Sequence, residues 1–202
     1  MRTELERLRR RFGGHEPGLL GARQRYAVLC PLVERPDGLH LLFEVRAEGI
    51  RQGGEVCFPG GRAEIGESAE QCALRETTEE LSIPPETVTL LGKTDFICNH
   101  RGFLLQPVVG LVSPEGFAAV RPAEAEVAEV FTVPLDFFCT HSPQQYAYDL
   151  IPRMPEDFPY EAVGISRGYP WSSGQVEIPI WQADGHAIWG MTARIVQELV
   201  RE

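Results

Sequence analysis

Between the run Phe58-Pro59-Gly60-Gly61 and the double proline Pro84-Pro85 the chain has room for one helix, and both of its ends are marked. Ser68, with Gln71 three residues on, fits a capping box, in which each residue's side chain accepts the other's backbone N–H. Pro84-Pro85 cannot continue a helix, so it must stop near Leu81. What flanks this helix reads mainly as strand. Residues 25–34 (RYAVLCPLVE) form a mostly buried run, Pro36-Asp37-Gly38 is a turn signal, and 39–46 (LHLLFEVR) completes a hairpin. The glycine-rich 47–61 must be loop or irregular strand. Downstream, 87–98, 103–112 and 127–133 read as strands, 141–174 as a long proline- and aromatic-rich excursion, and 176–181 as a late strand. A second principal helix is expected over 186–200, with Ile188, Met191, Ile195 and Leu199 on one stripe. Residues 3–12, with Leu5, Leu8 and Phe12 at helical spacing, predict a short amphipathic helix ended by Gly13-Gly14. Strands around two principal helices define an α+β fold, a mixed sheet with helices packed on it. At 202 residues the chain is long enough for one well-buried domain and short for two, so one domain over 1–202 is expected.

The charge balance narrows the partners. A formal net charge of -10 disfavours nucleic acid and anionic membrane, both of which need a positive surface. The start of the chain is charged rather than apolar, and no run of 18 apolar residues exists, so neither a secretory signal nor a membrane span is predicted. The five cysteines are odd in number, widely spaced and without a C-x-x-C pair. They suggest small buried hydrophobes in a reducing cytoplasm, not a disulfide framework or a zinc site. A homodimer is compatible with all of this.

The chemistry is carried by the central helix. At about 100° per residue, Glu76, Glu79 and Glu80 fall within an arc of roughly 100°. Ala69, Cys72 and Ala73 lie in or beside that arc and are expected to leave room for a ligand, while Leu74, Thr77 and Leu81 face the core. Glu76 and Glu80 are a like-charge i,i+4 pair, which costs a helix a few tenths of a kcal/mol. A cation would remove that repulsion. Hard divalent cations take oxygen ligands, and Mg²⁺ combines one or two carboxylates with substrate phosphates. The expected chemistry is therefore that Glu76 and Glu80 hold the metal, which activates a water against phosphorus, with Glu79 taking the proton. The same three glutamates, taken alone, also describe a solvated acidic helix face.

The wider spacing decides between them. Gly61, Glu67, Arg75, Glu76, Glu79 and Glu80 form G-x5-E-x7-R-E-x2-E-E. Six fixed identities arise by chance on the order of once in 10⁵ chains of this length at average residue usage. This pattern resembles the signature box of the Nudix hydrolases, here spanning 61–83, with Thr77 at an aliphatic position and Ser82 at a glycine. The resemblance implies a Nudix-type α/β/α sandwich and hydrolysis of a diphosphate bond in a small nucleotide-like substrate, with Mg²⁺ or Mn²⁺ as cofactor. It implies Glu76, Glu80 and the Gly60 carbonyl as metal ligands, and Glu79 as a further ligand or the base. It also implies an Arg75–Glu67 pair that holds the loop against the helix. Glu126, before the 127–133 strand, is a second candidate for the base.

Upstream, LLFEVRAEGIRQGGEVCFPGG (41–61) resembles the element of the coenzyme A pyrophosphatase branch through Leu41-Leu42, Arg46-Ala47, Arg51, Gly54 and Phe58-Pro59-Gly60-Gly61. That likeness implies substrate contacts at Arg46, Arg51, Gly54, Phe58 and Gly61. Arginine's fork suits the extra 3′-phosphate of coenzyme A, whose cleavage would give 3′,5′-ADP and 4′-phosphopantetheine, free or acylated. An ADP-ribose or other dinucleotide pyrophosphatase is the alternative enzyme. A non-catalytic binding or regulatory module of the same fold is the alternative of another class. The retained Glu76, Glu79 and Glu80 argue against that module.

Overall fold

The computed structural model describes residues 2–15, 19–21 and 24–201. Strand β1 (Gln24–Arg35) is the organising element. It pairs in parallel with β7 (Phe103–Val112) and antiparallel with β2 (Gly38–Arg46). β2 pairs on its other side with β3 (Val56–Cys57) and β8 (Val127–Pro134), and β4 (Gly60–Arg62) pairs with β1. β5 (Val88–Lys93) and β6 (Ile97–Cys98) add antiparallel to β7. The sheet is thus mixed, as expected, although the run 87–98 divides where Thr94 to Phe96 leave the ladder.

β1 is buried on both faces, which is why its sequence is almost continuously apolar. Ala27 and Leu29 face helix α2 (Ala69–Leu81), where they meet Cys72 and Ala73. Cys30 and Leu32 face the opposite layer, made by α4 (Leu135–Thr140) and α5 (Gly190–Leu199). Phe43 anchors that second core, stacked on Phe58 and Phe131 at 4.8 and 5.5 Å between ring centroids. Fully burying one such side chain contributes ~1.5–3 kcal/mol. The small residues of α2 therefore admit the sheet, not a ligand. Cys72 and Ala73 are fully buried against β1, which corrects the expectation that they leave space at the site.

The capping box forms as expected. Ser68 Oγ accepts from the Gln71 N–H at 3.2 Å, and Gln71 Oε1 accepts from the Ser68 N–H at 2.9 Å. α2 ends at Ser82, which adopts the left-handed conformation at φ 59° in place of the glycine usual there.

The C-terminal region differs from the expectation. Residues 186–189 are strand β11 (His186–Trp189), and α5 begins only at Gly190. Asp184-Gly185, both at positive φ, make the two-residue turn that folds β11 back on β10 (Gly174–Ala183). His186 therefore does not open a helix. It stacks on Phe131 at 3.9 Å and reaches Glu129 at 3.3 Å. The excursion 141–174 contains a further strand, β9 (Gln144–Leu150), paired with β10. A short α3 (Pro114–Ala118) and α4 were likewise not foreseen. The N-terminal helix α1 (Arg2–Phe12) is present, with Leu5, Leu8 and Phe12 exposed. Cys98 and Cys139 are exposed too, against the expectation of burial. Among the described residues no helix is long and apolar enough to cross a membrane.

Candidate active site

The box carboxylates are sorted by depth. Glu79 is exposed (59% of its side chain), Glu76 is half-buried, and Glu80 is 4% exposed. Glu80 Oε2 accepts the Gly60 N–H at 2.8 Å, tying the helix to the β3–β4 turn. Gly61 lies so close to Glu76 that a Cβ there would fall about 2.4 Å from its carboxyl group. The glycine pair thus gives the backbone its near approach to both glutamates.

Arg75 organises the rest. Its guanidinium donates from Nε and Nη2 to the two oxygens of Glu67 at 2.9 and 3.1 Å, and from Nη2 to the Arg62 carbonyl at 3.2 Å. Nη1 reaches Glu76 at 2.8 Å and Glu79 at 3.2 Å. The fork clamps the Glu64–Glu67 loop to the helix and offsets part of the charge of two box glutamates. Hydrogen bonding to Arg75 holds the Glu67 carboxyl below its ordinary range, and burial raises that of Glu76.

Burial, then repulsion from Glu44, pushes Glu80 up to about 8, while burial pushes Glu44 of β2 up to about 7. Glu126 adds to the repulsion at Glu44, Glu76 and Glu80. It is exposed, in a loop tied to the end of α2 by Arg121 N–H to Leu81 O (2.9 Å) and Ala123 N–H to Glu80 O (2.8 Å). Glu44 was not singled out from the sequence, where it reads as one residue of an apolar strand.

An excess of carboxylates that repel one another, with hard oxygen donors, fits a divalent cation. Among the described residues no three His, Cys, Asp or Glu side chains form a closed cage. A cation held by one or two carboxylates would take its remaining positions from water and substrate phosphate. Bound there, it would supply charge neutralisation and activation of water.

These raised carboxylates make the stability of the cation-free protein depend on pH. Glu44 and Glu80 have ordinary values of 4.5. Between that pH and about 8 the folded chain holds more protons than the unfolded one, so unfolding free energy falls as pH rises through the window. With EDTA present, melts from about pH 5 to 8.5 are expected to lose several kcal/mol from these groups, or roughly 10 °C or more. Mg²⁺ should raise the melting temperature more at pH 8 than at pH 6. A melting temperature that is flat over this range would remove the buried-charge account.

Beyond Gly60-Gly61 opens a cleft of about 1170 Å³. Arg46, Arg51, Gly60 and Gly61 line it, together with Tyr26, Phe103, Trp189 and Met191. Arg46 is steadied by its Nε–H to the Arg51 carbonyl at 3.1 Å. Arg101 and Arg194 also line the cleft, and sequence reading missed both, because nothing local marks a turn or helix arginine as facing a cavity. Of the other expected substrate contacts, one lies away from the cleft and one at its border. Gly54 does not border the cleft; at φ 77° it closes the 47–54 loop, its N–H on the Arg46 carbonyl at 2.9 Å. Phe58 borders the cleft but is 3% exposed and stacked in the core.

A loop–helix unit that carries the box carboxylates thus stands beside an arginine-bearing cleft. The chain belongs to the Nudix family, whose domain model matches residues 23–152. It is 33% identical over 195 residues to an uncharacterized Nudix hydrolase NudL of Yersinia enterocolitica, covering 93% of this chain and 86% of that one. It is 38% identical over 136 residues to the peroxisomal coenzyme A diphosphatase NUDT7 of Mus musculus, covering 66% of this chain and 56% of the relative. A solved Nudix hydrolase of M. smegmatis, RenU, superposes with a TM-score of 0.50 at 26% identity, over 57% of this chain and 73% of that one.

Proposed function

We propose that this Nudix hydrolase cleaves the diphosphate bond of coenzyme A or acyl-coenzyme A, giving 3′,5′-ADP and 4′-phosphopantetheine or its acyl form. The observation that carries the reading is the junction at Gly60-Gly61: box glutamates on one side, an arginine-lined cleft on the other. In this reading Glu76 and Glu80 hold Mg²⁺ or Mn²⁺, with the Gly60 carbonyl as a further ligand. Glu79, exposed beside them, takes the proton of the attacking water, and Glu126 is the alternative base. Arg46 and Arg51 receive phosphate oxygens, while Arg75 and Glu67 keep the loop in place. The likeness to a coenzyme A diphosphatase supports the substrate.

Product analysis with Mg²⁺ and coenzyme A, dephospho-coenzyme A and ADP-ribose in parallel tests it. Coenzyme A should be cut to 3′,5′-ADP faster than dephospho-coenzyme A. Arg51→Ala should lower kcat/KM for coenzyme A by roughly 10–100-fold, the worth of a charge-assisted contact, and change dephospho-coenzyme A far less. Inert coenzyme A beside active ADP-ribose would overturn the substrate and leave the carboxylate helix standing.

A further inference from the structure

Glu44 is 1% exposed in the middle of β2, between Phe43 and Val45. Its Oε1 accepts the Cys57 thiol at 3.2 Å, and its Oε2 is buried with no hydrogen-bond partner among the described residues. Arg46, two residues along, directs Nε to the Arg51 carbonyl, and its Nη1 lies 4.0 Å from the Cys57 sulfur. It therefore does not hydrogen-bond Glu44. The other charges that Glu44 faces are negative, those of Glu80 and Glu126. A carboxylate so deeply buried and only half-satisfied, drawn by the Arg46 charge but repelled by two other carboxylates, is costly for folding alone.

The placement gives that cost a purpose. The short segment 57–60 touches both acids: Cys57 donates to Glu44, and the Gly60 N–H donates to Glu80. Glu44 from the sheet and Glu80 from α2 thus flank one turn, at the border of the arginine-lined cleft. We propose that Glu44 is an additional cation-binding carboxylate of this centre, contributed by β2 opposite the helix glutamates. The proposal rests on the reading of Glu76 and Glu80 as cation ligands. Mg²⁺ and Mn²⁺ take oxygen donors, and Mg²⁺ keeps several waters, so a carboxylate can serve the ion through its hydration shell without completing a protein cage.

The test is Mn²⁺ titration of the full chain, with free Mn²⁺ followed by its paramagnetic resonance signal. Thermal melts with EDTA and with Mn²⁺ accompany it. Glu44→Gln is expected to weaken Mn²⁺ binding about tenfold, the lower end of what outer-shell partners contribute. It should also shrink the Mn²⁺-induced rise in melting temperature. Glu44→Leu, which removes the buried charge altogether, should raise the melting temperature in EDTA. If Glu44→Gln binds Mn²⁺ like the parent and only melts lower in EDTA, Glu44 is a structural partner of Cys57 and the proposal falls. Glu80→Gln separates the two failures. Weakened Mn²⁺ binding there beside unchanged binding in Glu44→Gln sinks Glu44 alone. Unchanged binding in both sinks the helix assignment as well.

Discussion

Glu80→Gln is expected to lower kcat/KM by on the order of 10³-fold and to raise the melting temperature of the cation-free protein. The two effects have one origin. Glu80 is nearly fully buried beside Glu44 and within reach of the charges of Glu76 and Glu126. A glutamine keeps the shape and still accepts the Gly60 N–H, held at 2.8 Å in the parent. What it loses is the negative charge, unfavourable where it stands unless a cation is bound. Losing a metal-binding carboxylate removes several kcal/mol of charge stabilisation in the transition state, and ~4 kcal/mol is a factor of 10³. Steady-state kinetics at saturating Mg²⁺, with melts in EDTA, measure both. Glu79→Gln is the contrast: its side chain is 59% exposed, so its melting temperature should barely move whatever it does to turnover. Parent-like turnover in Glu80→Gln would refute the assignment of the deep carboxylate to the cation.

The difference between Glu79 and Glu80 shows how much of this site is legible in the sequence. Helical spacing alone places Glu76, Glu79 and Glu80 on one arc, and the capping box and double proline delimit the helix that carries them. Spacing cannot rank them by depth. Depth is set by β1, which presses Ala27 and Leu29 against Ala73 and Cys72 and leaves Glu80 inside and Glu79 outside. Glu44 was hidden for a related reason. Residues 40–44 are buried on both faces of β2, so no alternation flags an inward polar position. The carboxylate shows its meaning only when Cys57 and Glu80 arrive from distant segments. The error over His186–Trp189 was of another kind, because the local signal existed. Asp184-Gly185 is a hairpin turn pair, and the alternation of inward Ile188 with exposed Ala187 and Trp189 is that of a strand. The apolar spacing into α5 masked both.

Gly60→Ala should combine the largest loss of stability with a loss of activity that refolding conditions do not rescue. A Cβ at Gly60 would lie 2.3 Å from the Ala27 carbonyl oxygen and 2.5 Å from the Val28 Cα. Those are backbone atoms of β1, held by the parallel ladder to β7 and packed against α2, so the strand cannot give way. The 59–61 segment must move instead. Moving it breaks the Leu29 N–H to Pro59 O bond of 2.9 Å and the Gly60 N–H to Glu80 bond. Overpacking of this kind costs ~1–3 kcal/mol, and each buried hydrogen bond lost adds ~1 kcal/mol or more. The expected total of roughly 3–4 kcal/mol lowers the melting temperature by ~10 °C in a chain of this size. The fold should survive at low temperature, where kcat/KM is still expected to be down at least ~100-fold, because a shift near 1 Å at a reacting centre costs that much. Gly185→Ala provides the comparison. It also introduces a side chain at positive φ, 79°, but with nothing within 4 Å. Only local backbone strain remains there, ~1 kcal/mol, with kinetics like those of the parent. Equal behaviour of the two variants would mean that the approach of Gly60 to β1 does not position the carboxylates.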